Sequence, residues 1–390
     1  MYPTLYDLIN RLLGIEIKPL AMVNTFGLMV ALGFFAAYYV MTLELKRLEK
    51  EGSVKPQKVK KTFEAKINYM DWALNAFLGF LFGWKIVFML MNFDLVRQNS
   101  QEVIFSYQGN EVAGILVAGF FIFQKYMEYK KQKQLYPEPI TKEVIVKPYM
   151  LMGQITLIAF VTGIIGAKAF HIFEDWTNFT NDPWGAIFSL SGLTYYGGLI
   201  CGAAGVLYYA NKNGVKPLHM LDAGGSAMML SYALGRGGCH LAGDGDWGIV
   251  NMNPKPDWIP QFLWSSKYPH NVLNADAGNV IEGCTGPYCN ELLNPVYPTP
   301  LYEIMMCVFL FAILWSIRKK IKVPGVLFGI YLIMNGAERF LIEAIRDNND
   351  YIIFGTKVHQ AQIISSAIIL LGIGLIVMSN RWHKGKQNLV

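Results

Sequence analysis

Charge is what this sequence has least of. Only 16% of its 390 residues are Asp, Glu, Lys or Arg, while 53% are hydrophobic, and an ordinary soluble domain carries about 25% charged residues. That shortage excludes a soluble globular fold. Cysteine is scarce as well: the five residues follow no metal-ligand spacing, and no glycine-rich nucleotide loop occurs, so neither a metal nor a cofactor is expected. Cys201, Cys239 and Cys307 lie in or beside apolar segments, where a cysteine behaves as a small hydrophobe. The opening stretch MYPTLYDLINRLLGIEIKPL lacks the basic start of a cleaved signal peptide. Its Leu5, Leu8, Ile9, Leu12 and Leu13 recur at helical spacing, which predicts a helix lying on a membrane surface. The first span then serves as its own targeting signal. No internal repeat is visible.

What the chain has in abundance is long apolar blocks, and a helix needs about 20 residues to cross roughly 30 Å of hydrocarbon. Charge-poor segments at about 20–43, 72–93, 112–127, 148–170, 184–210, 217–241, 299–317, 323–343 and 358–380 predict an all-α polytopic membrane protein of nine transmembrane helices. Basic residues concentrate on the cytoplasmic side of membrane proteins. With the N-terminus outside, 23 of the 34 Lys and Arg fall in 44–71, 125–147, 211–216, 318–322 and 381–390, against 7 on the opposite side. The net charge of +6 is therefore read as topology, not as nucleic-acid binding. Residues 1–390 form a single integral membrane domain, with 44–71 as a basic cytoplasmic loop and the C-terminus cytoplasmic. The segment 243–298 becomes an extracytoplasmic arm between the sixth and seventh spans. In that arm CTGPYC places Cys284 and Cys289 on either side of a Gly-Pro turn, leaving a short-loop disulfide or two free thiols as the alternatives.

Charged groups inside spans are costly and face a bundle interior, a cavity or a partner. Lys85 and Lys168 are explained by snorkelling or pairing as readily as by binding. Asp222, near the inner end of its span, is expected to face water. Arg236 stands among Gly235, Gly237 and Gly238 in YALGRGGCHLAGDGDWG, and Arg236, His240 and Asp244 are spaced to share one helical face. The alternative for this group is a structural Arg236–Asp244 ion pair. In NGAERFLIEAIRDNND, Arg339, Glu343 and Arg346 also share a face. Paired guanidinium groups suit a phosphate, because they bind its oxygens in a bidentate way and stay charged; interhelical salt bridging is the alternative. SGLTYYGGLICGAAG (191–205) and YPTPLYEIM (297–305) add Tyr196, Gly197 and Gly198, and Tyr302 with Glu303 behind prolines suited to a helix start.

Taken in order, TFGLMVALGF, GIIGAKAF, TYYGGLICG, GRGGCHLAGDGDWG, YPTPLYE and GAERFLIEAIRD resemble the prolipoprotein diacylglyceryl transferase family of bacterial inner-membrane enzymes. The resemblance covers most of the chain outside roughly 44–148. It implies transfer of diacylglycerol from phosphatidylglycerol to a cysteine thiol of a prolipoprotein signal peptide, with release of glycerol phosphate. The family's signature arginine falls on Arg236, its late arginine on Arg339 with Glu343 following, and its Tyr-Glu on Tyr302 and Glu303. Tyr196 stands where the family commonly has histidine, Phe26 and Asn335 where it has tyrosine, and Cys239 with Asp244 or Asp246 where it has asparagine and glutamate. Seven spans are usual there, so 72–127 would supply two extra ones.

In that chemistry a thiol must lose its proton and a phosphate must leave. Arg236 and Arg339 fit the second task. For the first, His240 is favoured by its ordinary pKa near 6.5, with Asp244 or Asp246 orienting its ring, and Tyr196 is the competitor. Lys168, Gly197, Gly198, Tyr302, Glu303, Glu343 and Arg346 complete the expected substrate-binding set. The rival function is a transporter with its intramembrane Lys and Arg lining an ion path, but the paired inverted halves common in transporters are not visible.

Overall fold

The computed structural model describes residues 1–98, 103, 106–188, 194–274, 279–284, 287–346, 350–353 and 356–387. Among them the chain forms ten helices of nine residues or more. They are α1 Leu5–Leu13, α2 Thr25–Lys50, α3 Tyr69–Met91, α4 Glu111–Leu135, α5 Met152–Glu174, α6 Tyr195–Lys212, α7 Pro217–Ala242, α8 Thr299–Ile317, α9 Val326–Ile342 and α10 Gln360–Gln387. Among the described residues, five helical stretches are long and apolar enough to cross a membrane: Thr25–Lys50, Tyr69–Met91, Pro148–Glu174, Thr299–Ile317 and Gln360–Gly385.

The bundle is organised around α7, which packs against α2, α8 and α9. Its Ala223, Gly224, Gly225, Ser226 and Ala227 are all buried, and such small side chains let neighbouring backbones approach closely. The same device joins the other pairs. A Cβ added at Gly83 on α3 would stand 2.5 Å from the Ala113 carbonyl oxygen of α4, and one at Gly197 on α6 would stand 2.5 Å from that of Gly166 on α5. One at Gly329 on α9 would lie 2.9 Å from the Gly372 carbonyl of α10. Helices α3 and α4 pack principally on each other as a hairpin. Lys85 closes the end where α3 leads to α4, donating to the backbone oxygens of Ser106 and Gln108.

Helix α1 is amphipathic and closed by a capping box, in which Asp7 accepts from the Thr4 amide at 3.0 Å while Thr4 Oγ1 accepts from the Asp7 amide at 3.3 Å. Its lead-in is pinned to the bundle, since the Tyr2 amide donates to the Leu241 carbonyl at the end of α7. The arm, 243–298, is irregular. Tyr268, Leu292 and Val296 form its own small core with Trp247, and Cys284 and Cys289 are joined as a disulfide. Residues 275–278 of the arm lie outside the described residues.

Several expectations change here. The chain is not wholly helical: Gln57–Phe63 (β1), inside the basic 44–71 loop, pairs antiparallel with Ile140–Val146 (β2) in the register Gln57↔Val146 to Phe63↔Ile140, and Asp350–Ile353 (β3) pairs with Thr356–His359 (β4). The segment 184–210 is not one continuous helix. A short helix, Pro183–Phe188, precedes α6, which begins at Tyr195 behind an extended Thr194; Ser191, Gly192 and Leu193 of the SGLTYYGG motif lie outside the described residues. Asp222 does not face water. It is buried, and its two oxygens accept from the Gly325 and Phe328 amides at 2.7 and 2.9 Å, so a neighbouring helix supplies the cap that α9 itself lacks.

Helix caps are worth about 0.5–2 kcal/mol. Asp222→Ala should therefore lower the thermal midpoint of detergent-purified protein while the helical circular dichroism is retained; an unchanged midpoint would show that the cap carries no stability.

Candidate active site

Three segments converge at the arm end of α7. Tyr232 and Arg236 are one turn apart on α7, and the Arg236 guanidinium lies over the Tyr232 ring at 5.1 Å, a favourable placement of a cation on a π face. Helix α8, with Pro300 in its first turn, delivers Glu303. Helix α9 carries Arg339 in its last turn, and a 3-10 turn, Glu343–Ile345, carries the chain to Arg346. That turn is held to the arm by a backbone bridge between Gly248 and Arg346. A side chain at Gly248 would run into the Ile345 carbonyl, so the junction requires glycine.

Glu303 is the centre. It is 0% exposed and accepts from the Tyr232 hydroxyl at 2.9 Å and from Arg339 Nη1 at 3.2 Å. Its other oxygen is in ion-pair contact with Arg236 Nε at 3.3 Å and Arg346 Nη1 at 3.7 Å. Arg339 also pairs with Glu343 at 3.1 Å. Asp246 completes the set by bridging two cations: one oxygen contacts Arg236, and the other accepts from Arg346 Nη2 at 2.5 Å. Arg236, Arg339 and Arg346 thus meet Glu303, Glu343 and Asp246, charge against charge. A group of this kind, taken out of water, persists only when each member is compensated.

Asp246 reaches this position through a turn. Helix α7 stops at Gly243 (φ 67°), and Gly245 (φ 98°) turns the chain again; both lie in the left-handed region that glycine enters without steric cost. Thr299 Oγ1 then donates to the Asp246 carbonyl at 2.7 Å. Burial pushes the Asp246 carboxyl up, but Arg236 and Arg346 outweigh it and hold the group below the usual carboxylate range. Asp244 goes the other way, raised by burial against an opposing hydrogen bond with the Cys239 thiol. Ligand atoms of Cys239, Asp244 and Asp246 lie within 4.8 Å of one another. Two guanidiniums already neutralise Asp246, so the spot is unfavourable for a cation.

The structure brings together Arg236, Arg339, Glu303, Glu343, Arg346 and Asp246 from the expected set. The Arg236–Asp244 pairing is replaced by Arg236–Asp246, because the chain leaves the helix before Asp244. His240 is not oriented by either aspartate: its Nδ1 lies 3.5 Å from the Tyr268 hydroxyl, with the two rings edge to face. Tyr302 points away from the arginines and donates to the Leu263 carbonyl of the arm at 2.5 Å. Gly197 and Gly198 serve the close approach of α6 to α5, and Lys168 is half-buried on α5. Tyr196 is 44% exposed and stacks edge to face with Tyr195. Two members were missed in the sequence. Tyr232 reads as one more aromatic in an apolar helix. Glu338 is 2% exposed, with neither carboxylate oxygen hydrogen-bonded among the described residues; an acid inside a span is itself the signal that marks it.

Residues 113–378 match the family model described as prolipoprotein diacylglyceryl transferase. The chain is similar to the phosphatidylglycerol–prolipoprotein diacylglyceryl transferase of Dehalococcoides mccartyi (strain ATCC BAA-2266 / KCTC 15142 / 195), 28% identical over 235 residues, 58% of this chain and 76% of that protein. It is similar also to the enzyme of the same name from Streptococcus pyogenes serotype M5 (strain Manfredo), 27% identical over 233 residues, 59% of this chain and 78% of that protein.

Breaking a buried ion network by removing one partner costs about 3–5 kcal/mol. Glu303→Gln keeps the shape but leaves three guanidiniums short of one negative charge. A loss of that order should appear as a large fall in thermal midpoint in detergent; a wild-type midpoint would show that Glu303 does not hold the arginines.

Proposed function

The chain belongs to the prolipoprotein diacylglyceryl transferase family, and from that premise we propose that the network of Arg236, Arg339 and Arg346 is the seat of a lipid phosphate. The enzyme transfers the diacylglyceryl group of phosphatidylglycerol to the lipobox cysteine of a prolipoprotein and releases glycerol phosphate. The bridging of Arg236 and Arg346 by the two oxygens of Asp246 supports this placement. A carboxylate and a phosphodiester present similar paired oxygens to guanidinium, so Asp246 stands where two phosphate oxygens would bind. The arginines are neutralised without substrate, and the phosphate enters by taking the place of Asp246 on its glycine-flanked turn.

The thiolate sulfur attacks the diacylglyceryl carbon that bears the phosphate. The carbon–oxygen bond breaks, its electron pair stays on the phosphate oxygen, and the extra negative charge falls among fixed guanidiniums in a site away from bulk water, where such stabilisation is strongest. The proton leaves the thiol for His240, one turn beyond Arg236 and steadied by Tyr268. Tyr196 is the competing acceptor. Glu303 and Tyr232 act through the arginines by fixing their planes.

The topology proposed for this chemistry has nine spans in the bacterial inner membrane, with α3 and α4 as an added pair, the arm and the N-terminus outside, and the C-terminus in the cytoplasm. Single cysteines introduced in 50–60 and in the C-terminal tail should resist impermeant thiol reagents in intact cells; labelling of either would overturn the orientation.

The activity itself is tested with purified protein, phosphatidylglycerol and a lipobox peptide. An ammonium group cannot reproduce the guanidinium fork, so Arg236→Lys and Arg339→Lys should each lose most of the turnover despite keeping the charge. Near-normal rates in both would confine the arginines to a structural role. In the same assay His240→Gln should be severe and Tyr196→Phe partial; the reverse order assigns the proton to Tyr196.

A further inference from the structure

Between α1 and the arm lies a cleft of about 630 Å³, within the range of roughly 300–1,000 Å³ typical of ligand sites. Tyr6, Asp7 and Arg11 line it from α1, and His270, Pro287 and Tyr288 from the arm. The arm wall is braced: His270 Nδ1 donates to the Tyr288 carbonyl at 2.8 Å, and the Cys284–Cys289 disulfide encloses Tyr288 in its loop. Burial, together with the Asp7 carboxylate facing it from α1, pushes the Tyr288 phenol upward, so the two walls are in electrostatic reach of each other. The cleft connects to the end of α7 through two of its neighbours. There Tyr2 is bonded to Leu241, and Tyr268, the neighbour of His240, is followed directly by Pro269 and His270 of the lining.

We propose that this cleft receives the stretch of polypeptide that follows the lipid-accepting cysteine of the substrate, an inference that rests on the transferase function given above. An extended chain brings one N–H and one C=O per residue, and the lining offers partners for both: a carboxylate, a guanidinium, phenols and an imidazole. Its ionised side chains balance, with Arg11 one helical turn beyond Asp7. It therefore lacks the concentration of cations that draws a phospholipid headgroup, while the arginine network nearby has it. Its position fits as well. A cysteine held beside His240 and Arg236 leaves the next residues at the end of α7, and the cleft is the way out toward the arm.

Two lipobox peptides are the probes, one ending at the cysteine as an amide and one continuing several residues beyond it. For the longer peptide, Tyr288→Ala and Arg11→Ala should raise KM about tenfold, the loss of a contact of ordinary strength, with kcat unchanged and the short peptide unaffected. A photoreactive residue at Tyr6 in the otherwise unaltered protein should crosslink the longer peptide and not the shorter, which keeps the inference testable if either alanine variant folds poorly. Equal behaviour of both peptides in all variants would overturn it, as would crosslinking to phosphatidylglycerol in place of peptide. If neither peptide is turned over, the transferase assignment fails separately, and the cleft is judged on the crosslink: selective capture of the longer peptide supports it, and no capture overturns it.

Discussion

A buried carboxylate that must be paired governs this structure. Glu303 is fully enclosed, and an isolated charge in such surroundings is too costly to keep. Three arginines and a tyrosine answer it from α7, the end of α9 and the turn that follows. Those cations in turn require Glu343 and Asp246. The requirement reaches outward from there. Gly248 must be glycine for the arm to lie against the end of α9, and Gly243 and Gly245 must take left-handed backbone for Asp246 to arrive. Small residues along α7 let α2, α8 and α9 come close enough for the three segments to meet.

The network is enclosed on one side and partly exposed on the other. Glu303 and Glu343 sit on or at the end of packed helices with almost no exposure, whereas Asp246 rides a turn between glycines and its side chain keeps 31% of its exposure. Its bond to Arg346 is charge-assisted, a class worth more than a neutral hydrogen bond, and a phosphodiester offers the same fork an equal single negative charge. On the proposed mechanism, binding exchanges one anion for another on guanidiniums already in place, so little reorganisation accompanies the step that stabilises the leaving group.

Much of this was legible in the sequence, and the failures have physical causes. The apolar blocks predicted the long helices because a helix in lipid must be apolar along most of its length. Arg236 and Arg339 stood out because charge inside a span demands a partner, Glu343 through its helical spacing from Arg339, and Glu303 through its place behind the prolines of YPTPLYEIM. Asp244 was preferred to Asp246 as the partner of Arg236 because helical spacing was extended past residue 242, where Gly243 ends the helix. The tie from His240 to an aspartate failed for the same reason. Tyr232 was invisible because its ring belongs to the packed face of α7 and only its hydroxyl reaches Glu303. The β1–β2 ribbon was missed because its strands come from opposite sides of the hairpin α3–α4, and a pairing that distant has no local signature. Gly197 and Gly198 fit binding or packing equally well in the sequence, and the structure shows their close contact with α5.

The central claim is that lipid phosphate replaces Asp246 between Arg236 and Arg346. A structure of the protein in lipid nanodiscs with a phosphonate analogue of phosphatidylglycerol, which cannot be cleaved at the reacting bond, tests it directly. The phosphonate group should lie between the two guanidiniums with Asp246 swung out on its glycine turn; Asp246 still bridging both arginines while the lipid headgroup binds elsewhere would contradict it.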